Sequence, residues 1–373
     1  MPNDPSSIHI DGSLVAYRLY DIGYAIRLDD ALRLLASNAP ERVQPIREDA
    51  NAIHIANPPV SVLLATEDFA IDGVLRPIEI SARLFDFGVC SLRIRCVLPA
   101  NSSWEQFRAF GKVFNNPTAL AELITRYLNA ITSRIMSAID RPQLSKVAED
   151  FIVYRVDRVT DSTGIPLDTN ALTDDVIGSL LLNESRSLAV STRNRLLSHR
   201  FAYYDDDLTV LAWDSALVVE PNTENEDVAY VLEFANAQLL ELRVHDALLD
   251  AELPAMYERI AAVRTSRFPL GVRSLRRVLT RLQTRVADIT EPIERVENAL
   301  KVTDDVYLAR IYTAALDTFR ERAWRTGIDR KLTIMRDTYA MLSAEAQTIR
   351  SELLEFVIAI LIVAELAVAL LRQ

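Results

Sequence analysis

Apolar and polar positions alternate in short runs over the first 220 residues, a pattern that predicts β-strands. Such runs begin at Ser13, Ser61, Ala82 and Asp150. A pattern with helical spacing begins at Ala119, between the last two runs. Because strands separated by helices usually belong to one sheet, the sequence predicts a mixed α/β domain in which helices pack against that sheet.

Three consecutive aspartates, Asp205 to Asp207, lie between two further β-prone stretches that follow Phe201. Adjacent residues of a strand point to opposite faces, so three in a row are poorly placed to converge on one metal ion. The favoured interpretation is a solvated hairpin turn. A metal site is the alternative.

After Glu224 the apolar residues recur at the spacing of α-helices, and Pro254, Pro269 and Pro292 are expected to separate these helices. One series with heptad spacing runs from Leu275 to Leu300, through Pro292, and Gly327 predicts a break before the last helix. A second, longer series predicts a helix that packs along another helix. Its members are Ile328, Leu332, Met335, Tyr339, Leu342, Ala346, Ile349, Leu353, Phe356, Ile360, Val363, Ala367 and Leu370.

The C-terminal residues 353–373 are strongly apolar. Of the nineteen residues from 353 to 371, thirteen are Leu, Ile, Val or Phe. As a helix they would span about 28 Å, close to the roughly 30 Å of a bilayer core, which predicts a tail anchor. A buried helix inside an oligomer is the alternative, and the embedded Glu365 predicts self-association in either case. The residues expected to contact lipid or another copy are Phe356, Ile360, Val363, Glu365 and Leu370.

These patterns together predict an α+β fold with three parts. Residues 1–222 are expected to form a mixed α/β domain, and residues 223–352 an antiparallel helical bundle with heptad-patterned helices. The very long C-terminal helix is expected to end in the hydrophobic segment 353–373.

Composition excludes several classes of chemistry. The 373 residues include only nine glycines and two cysteines, and the four histidines are scattered. No Gly-rich phosphate loop, zinc motif or catalytic-serine motif is present. We therefore expect no cofactor, metal or catalytic residue, and a reducing compartment. A net charge of −11 disfavours wholesale binding of nucleic acid.

One basic segment departs from this acidic character. Residues 259–285 contain eight arginines and no aspartate or glutamate. Several recur at helical spacing and could clamp the phosphates of RNA or of lipid headgroups; the alternative is neutralisation by acidic residues of the same chain. The candidate phosphate-binding residues are Arg273, Arg276, Arg277, Arg281 and Arg285.

The helix predicted from Ala229 has a polar side and an apolar side. Its polar side is expected to carry Glu233, Asn236, Arg243, Asp246 and Asp250. His245 is a weak candidate for a catalytic base, because its spacing from these aspartates is unfavourable. A carboxylate-dependent enzyme of unknown type is therefore only an alternative interpretation.

Long phrases of the second half carry a family resemblance. The runs from Ser198, Val231 and Arg295, together with the closing apolar helix and its Glu365, resemble bacterial members of the YagE-like, or "required for meiotic nuclear division", family. That resemblance implies a membrane-associated homo-oligomer that supports translation or membrane organisation, without a defined catalytic residue.

The sequence thus predicts a non-enzymatic, membrane-tethered, homo-oligomeric scaffold or assembly factor of a bacterium. It would lie at the cytoplasmic face of the inner membrane, with the bilayer and further copies of itself as partners. An RNA- or ribosome-contacting factor that uses the arginine stripe is the alternative.

Overall fold

The computed structural model describes residues 7–43, 53–55, 57–182, 189–264, 280, 284, 300–302 and 306–371. The chain divides into two compact units. The first comprises Met1–Val244 and Glu294–Arg322, and the second comprises His245–Ile293 and Ala323–Gln373. Part of the second unit is therefore inserted into the sequence of the first.

The described residues form strands in the first unit that mostly belong to one large sheet. These strands are β1 (Ile8–Asp21), β2 (Gly23–Ile26), β3 (Glu41–Arg42), β4 (Ile53–Ile55), β5 (Val60–Ile71), β6 (Val74–Leu84), β7 (Val89–Val97), β8 (Ser102–Ser103), β9 (Ile139–Pro142), β10 (Ala148–Asp161), β11 (His199–Phe201), β12 (Leu208–Leu211), β13 (Ser215–Val219) and β14 (Leu300–Val302).

The large sheet has ten strands in the order β11-β12-β13-β10-β1-β7-β6-β5-β3, with β8 paired to the start of β1. β10 and β13 run parallel, and the other neighbours run antiparallel. Separately, β2 pairs with β9 and β4 pairs with β14. The sheet is thus a mixed one built mainly from hairpins, around the long central strands β1 and β10.

The described helices are α1 (Leu28–Leu34), α2 (Trp104–Asn115), α3 (Pro117–Ile135), α4 (Asp174–Leu181), α5 (Val190–Leu196), α6 (Asp227–Arg264), α7 (Val306–Thr318) and α8 (Glu321–Leu371). Helix α2 begins with a capping box, in which Ser103 and Gln106 each bond the other's backbone N–H. Pro117 opens α3, where its missing N–H costs nothing.

One face of the large sheet carries the main apolar core. Alternate positions of β1, such as Leu14 and Ala16, are buried there together with the aromatic residues of α2. Phe107 of α2 contacts Tyr154 of β10 edge to face, and the indole N–H of Trp104 donates to the Val176 carbonyl of α4 at 3.2 Å. Helices α2 and α4 are therefore anchored to this face by aromatic side chains.

Helix α6 is buried on nearly all sides from Asp227 to Val244. Phe234 of this helix packs edge to face on Phe85 and Phe87, at ring-centre distances of 5.7 and 5.9 Å. These two phenylalanines lie in the turn between β6 and β7. The part of α6 from Asp227 to Val244 is thus enclosed within the first unit.

The second half of the chain differs from its prediction in three ways. A strand, β14, occurs among the predicted helices, and its Leu300 and Val302 pair with Ile55 and Ile53 of β4. The three residues of β14 are too few to show the alternation of apolar and polar positions that predicts a strand. Its pairing partner, β4, also lies far away in the sequence. Helix α6 continues through Pro254, and α8 continues through Gly327, so neither residue ends a helix.

The predicted membrane anchor is wrong. Among the residues that the structure describes, no helix is both long and apolar enough to cross a membrane. Residues 353–371 are helical, but the wholly uncharged stretch between Glu355 and Glu365 is nine residues, or about 14 Å, against the roughly 30 Å of a bilayer core. The fold is a large mixed-sheet domain with helices, and both the hydrophobic anchor and the inner-membrane localisation that rested on it are unsupported.

The register of β1 depends on Gly12, where the pairing with β10 shifts by one residue. A Cβ at this position would lie 2.2 Å from the Arg155 carbonyl oxygen. We expect Gly12→Ala to lower the free energy of unfolding by about 1–3 kcal/mol, because the crowded backbone must shift. Urea denaturation followed by circular dichroism measures this change.

The matched control is Gly178→Ala in α4, where a Cβ would meet only Leu197 Cδ1 at 3.6 Å, an ordinary contact. Since Ala is the better helix former, this variant should be as stable as the wild type or more stable. If Gly12→Ala leaves the free energy of unfolding unchanged, the backbones of β1 and β10 do not approach each other as closely as the structure places them.

Candidate functional site

The face of the sheet opposite the apolar core carries charged residues beneath α6. Arg93 of β7 pairs across the sheet with Tyr17 of β1 and with Ser81 of β6, so these three side chains share one face. Arg83 follows Ser81 by two residues and therefore lies on the same face. We call the group formed by Tyr17, Arg83, Arg93, Glu226, Tyr230 and Glu233 the charged layer.

Glu233 of α6 is the centre of the charged layer and is fully buried. Its Oε2 accepts a hydrogen bond from Nη1 of Arg83 and lies 3.9 Å from Nε of Arg93. Arg93 also donates to Glu226 Oε2 at 2.9 Å. Two arginines of the sheet are thus neutralised by two glutamates, Glu226 directly before α6 and Glu233 within it.

Two tyrosine rings complete the charged layer. The guanidinium of Arg83 lies 4.9 Å from the ring centre of Tyr230, and that of Arg93 lies 5.7 Å from the ring centre of Tyr17. Both distances are those of cation–π contacts. Each arginine is therefore held by a carboxylate and by an aromatic ring.

The electrostatics of the charged layer favour fixed charges over proton transfer. Burial raises the pKa of Tyr17 to about 12 and also raises that of Tyr230. The pKa of Glu226 is lowered: burial acts to raise it, but the charge and hydrogen bond of Arg93 outweigh that effect. At neutral pH the tyrosines remain protonated and Glu226 remains charged, so the arrangement can hold α6 on the sheet through fixed charges.

Further along α6, each acidic residue of the predicted polar side meets a cation. Asp246 and Asp250 both contact Lys331 Nζ in the second unit, at 2.7 and 2.5 Å. Glu233 and Asn236 are buried, and the Asn236 side chain donates to the Leu232 carbonyl at 2.9 Å. The predicted polar side is therefore buried at Glu233 and Asn236 but exposed at Asp250, and Glu233 meets a different cation from Asp246 and Asp250.

The candidate arginines Arg273, Arg276, Arg277, Arg281 and Arg285 lie outside the described residues. The phosphate-binding hypothesis for them stays a prediction. The three aspartates Asp205 to Asp207 occupy the turn between β11 and β12, as the hairpin interpretation expected, but only Asp205 and Asp206 are exposed, whereas Asp207 is buried. Among the residues that the structure describes, no group of His, Cys, Asp or Glu side chains has the arrangement of a metal site.

The C-terminal contact residues are found on the surface of α8. Phe356, Ile360, Val363 and Glu365 are all exposed, while the side chain of Leu370 lies outside the described part of the chain. Neighbouring apolar residues of the same helix are equally exposed, namely Leu354, Val357, Ile358, Leu361 and Ile362. This exposed apolar segment, residues 354–363, is the second candidate functional feature.

Sequence reasoning missed Arg83 and Arg93 as members of a site. Both lie in strands predicted from the run that begins at Ala82, where arginine alternates with apolar residues. Such alternation is typical of a strand with one face in solvent. The residue that could have indicated a buried charged face is Glu233, because it lies in a helix that is otherwise strongly apolar around Phe234.

Comparison with known proteins identifies relatives of the sheet domain. A family model described as "Uncharacterized protein MJ0711, N-terminal domain" matches residues 11–226, more than half of the chain. The "Uncharacterized protein MJ0711" of Methanocaldococcus jannaschii is 23% identical over 237 residues, which cover 64% of this chain and 70% of that protein. No solved structure matches the chain.

These matches overturn the resemblance to the YagE-like family. That resemblance rested mainly on phrases after Ser198, whereas the family model matches residues 11–226, which form the large sheet. Apolar heptad spacing is shared by many unrelated helical proteins, so the helical phrases were weak evidence of kinship. Support of translation, which only the resemblance implied, loses its basis.

We expect Glu233→Gln to lower the free energy of unfolding by about 3–5 kcal/mol, because it leaves two buried arginine charges short of a carboxylate. Urea denaturation at pH 7 measures the change. The control is Glu79→Gln on the same sheet, where the half-exposed carboxylate faces Arg95 at 3.8 Å; its effect should stay below about 1 kcal/mol. If Glu233→Gln lowers the free energy of unfolding as little as Glu79→Gln does, the charged layer does not hold α6 on the sheet.

The buried Glu149 of β10 predicts a pH dependence of stability. Its Oε1 accepts a hydrogen bond from Arg243 of α6, yet burial raises its pKa from 4.5 to about 7. The folded state then binds this proton more tightly than the unfolded state. The stability that it contributes is complete below about pH 4.5 and is lost as the pH rises through about 7.

Glu149→Gln should therefore reduce the fall in unfolding free energy between pH 4.5 and 7.5 by roughly 2 kcal/mol. Some fall should remain, because burial also raises the pKa of Asp21. Chemical denaturation at a series of pH values tests this, with the exposed Glu105→Gln as a control whose profile should parallel that of the wild type. A Glu149→Gln profile that matches the wild type would contradict the assignment.

Proposed function

The chain belongs to the family of the MJ0711 N-terminal domain, and we propose that within this family it is a non-enzymatic scaffold that assembles with further copies of itself through helix α8. The single observation that carries the proposal is the exposed apolar segment, residues 354–363. Large exposed apolar surfaces usually mark a site of association.

The heptad series of α8 supports this proposal, because its described members differ in burial along the helix. Ile328, Leu332, Met335 and Leu342 are buried in the second unit. Phe356, Ile360 and Val363 of the same series are 67%, 52% and 65% exposed. These exposed members, which we call the seam, keep the spacing that pairs helix with helix.

The apolar area of the seam limits the free energy available from pairing two copies. Full burial of such a side chain contributes about 1.5–3 kcal/mol, so each half-exposed residue would contribute roughly 1 kcal/mol. Phe356, Ile360 and Val363 of the seam are exposed in this way, so two copies would gain roughly 6 kcal/mol. This gain falls within the range of roughly 4–15 kcal/mol that association costs.

A second copy fits the seam because it supplies the same heptad pattern. If Ile360 is assigned to position a of the heptad, Glu365 falls at position f and Glu355 at position c. Both positions point away from a helix that packs on a and d. Pairing of two seams therefore leaves both carboxylates in water and buries no charge.

The experiment compares the mass of three proteins by sedimentation equilibrium. We expect full-length protein at micromolar concentration to have a multiple of the 41.9 kDa chain mass. The triple variant Phe356→Ser, Ile360→Ser and Val363→Ser should shift toward a single chain, because it removes the apolar side chains of the seam.

A matched control removes similar apolar area away from the seam, with Leu354→Ser, Ile358→Ser and Leu361→Ser. This variant should remain associated, and circular dichroism should show unchanged helix content in both. The proposal fails if the wild-type protein sediments as a single chain, or if the control dissociates as completely as the seam variant.

A further inference from the structure

An aromatic and acidic surface lies at the end of the β11–β12 hairpin in the first unit. Tyr203 and Tyr204 are 57% and 60% exposed there. Asp205 and Asp206 follow directly and are also exposed. We call these four residues the hairpin surface.

The tyrosine rings of the hairpin surface pack against each other and against a buried side chain. Tyr203 and Tyr204 contact each other edge to face, with ring centres 4.8 Å apart. Tyr203 also contacts Tyr307 of α7 at 5.5 Å, and Tyr307 is itself buried, with its hydroxyl 3.4 Å from Thr209 Oγ1. The exposed rings are therefore positioned by the core.

The backbone of the turn is fixed as well. The backbone N–H of Tyr203 donates to Asp207 Oδ1 at 2.7 Å, and Thr169 Oγ1 donates to the Asp205 carbonyl at 3.4 Å. A surface ordered in this way loses little conformational entropy when it binds. Exposed, rigid tyrosines are typical of the residues that dominate protein interfaces.

The charge of this surface selects the partner. Asp205 and Asp206 stand beside the rings, and Thr169 brings the exposed Asp168 into the same neighbourhood. Carboxylates attract cations, and tyrosine faces bind guanidinium and ammonium groups. The hairpin already shows this chemistry, because the guanidinium of Arg310 lies 5.6 Å from the ring centre of Phe201.

We propose that the hairpin surface binds a basic segment of another protein, whose arginine or lysine side chains stack on Tyr203 and Tyr204 while Asp205 and Asp206 neutralise their charge. The surface is independent of the seam on α8. A scaffold assembled through that seam would display one such surface for each copy, so the two proposals are compatible but stand separately.

The test measures binding of fluorescein-labelled octa-arginine to the full-length protein by fluorescence anisotropy. Tyr204→Ala should weaken binding about two- to fivefold, because one exposed cation–π contact is lost. Tyr204→Phe keeps the ring and should bind within about twofold of the wild type. The matched control is Tyr257→Ala, an exposed tyrosine of α6 in the second unit, which should bind like the wild type.

A second pair of variants tests the charges. Asp205→Asn with Asp206→Asn should weaken binding and flatten its dependence on salt. Glu105→Gln with Glu122→Gln removes two exposed charges elsewhere and should change binding little. The proposal is overturned if octa-arginine does not bind, if Tyr204→Ala binds like the wild type, or if the control pair weakens binding equally, since the peptide would then respond only to the net charge of −11.

Discussion

The buried contact between Arg83 and Glu233 is the interaction on which the arrangement of the first unit depends. It joins the polar face of the large sheet to the helix that passes through the middle of the unit. A buried ion pair adds little stability compared with well-packed apolar residues, but losing one member is severe. The charged layer therefore acts mainly as a specificity device: α6 can lie on the sheet only where Glu233 and Glu226 reach the arginines.

Different interactions hold the helices on the two faces of the sheet. On one face, Leu14, Ala16 and the aromatic residues of α2 form an ordinary apolar core. On the other, arginines stack on tyrosines and pair with glutamates of α6. Sliding α6 along the sheet would leave these buried charges without partners, so the second face fixes the position of the helix through its ion pairs.

The sequence predicted the sheet with its helices and the hairpin at Asp205, because those features follow from local periodicity. It could not predict the charged layer, since arginines that alternate along a strand look like a solvated face until the covering helix is known. It also could not show β14, whose three residues acquire strand structure only from β4. For residues 353–373, the apolar composition predicted insertion into lipid. Hydropathy alone cannot show whether a helix is surrounded by lipid or by other protein, because both surroundings are apolar.

The discontinuity of the first unit has a consequence for how the chain folds. Helix α6 and strand β14 both complete this unit, but they follow the family-matched residues 11–226 in the sequence, and part of the second unit separates them. A growing chain that has reached only residue 226 carries Arg83, whose partner Glu233 on α6 has not yet been synthesised. Closure of the sheet domain depends on the contact of Arg83 with Glu233, which are 150 positions apart, and on the pairing of β4 with the later strand β14. Such distant contacts favour late, slow completion of folding over stepwise folding during translation.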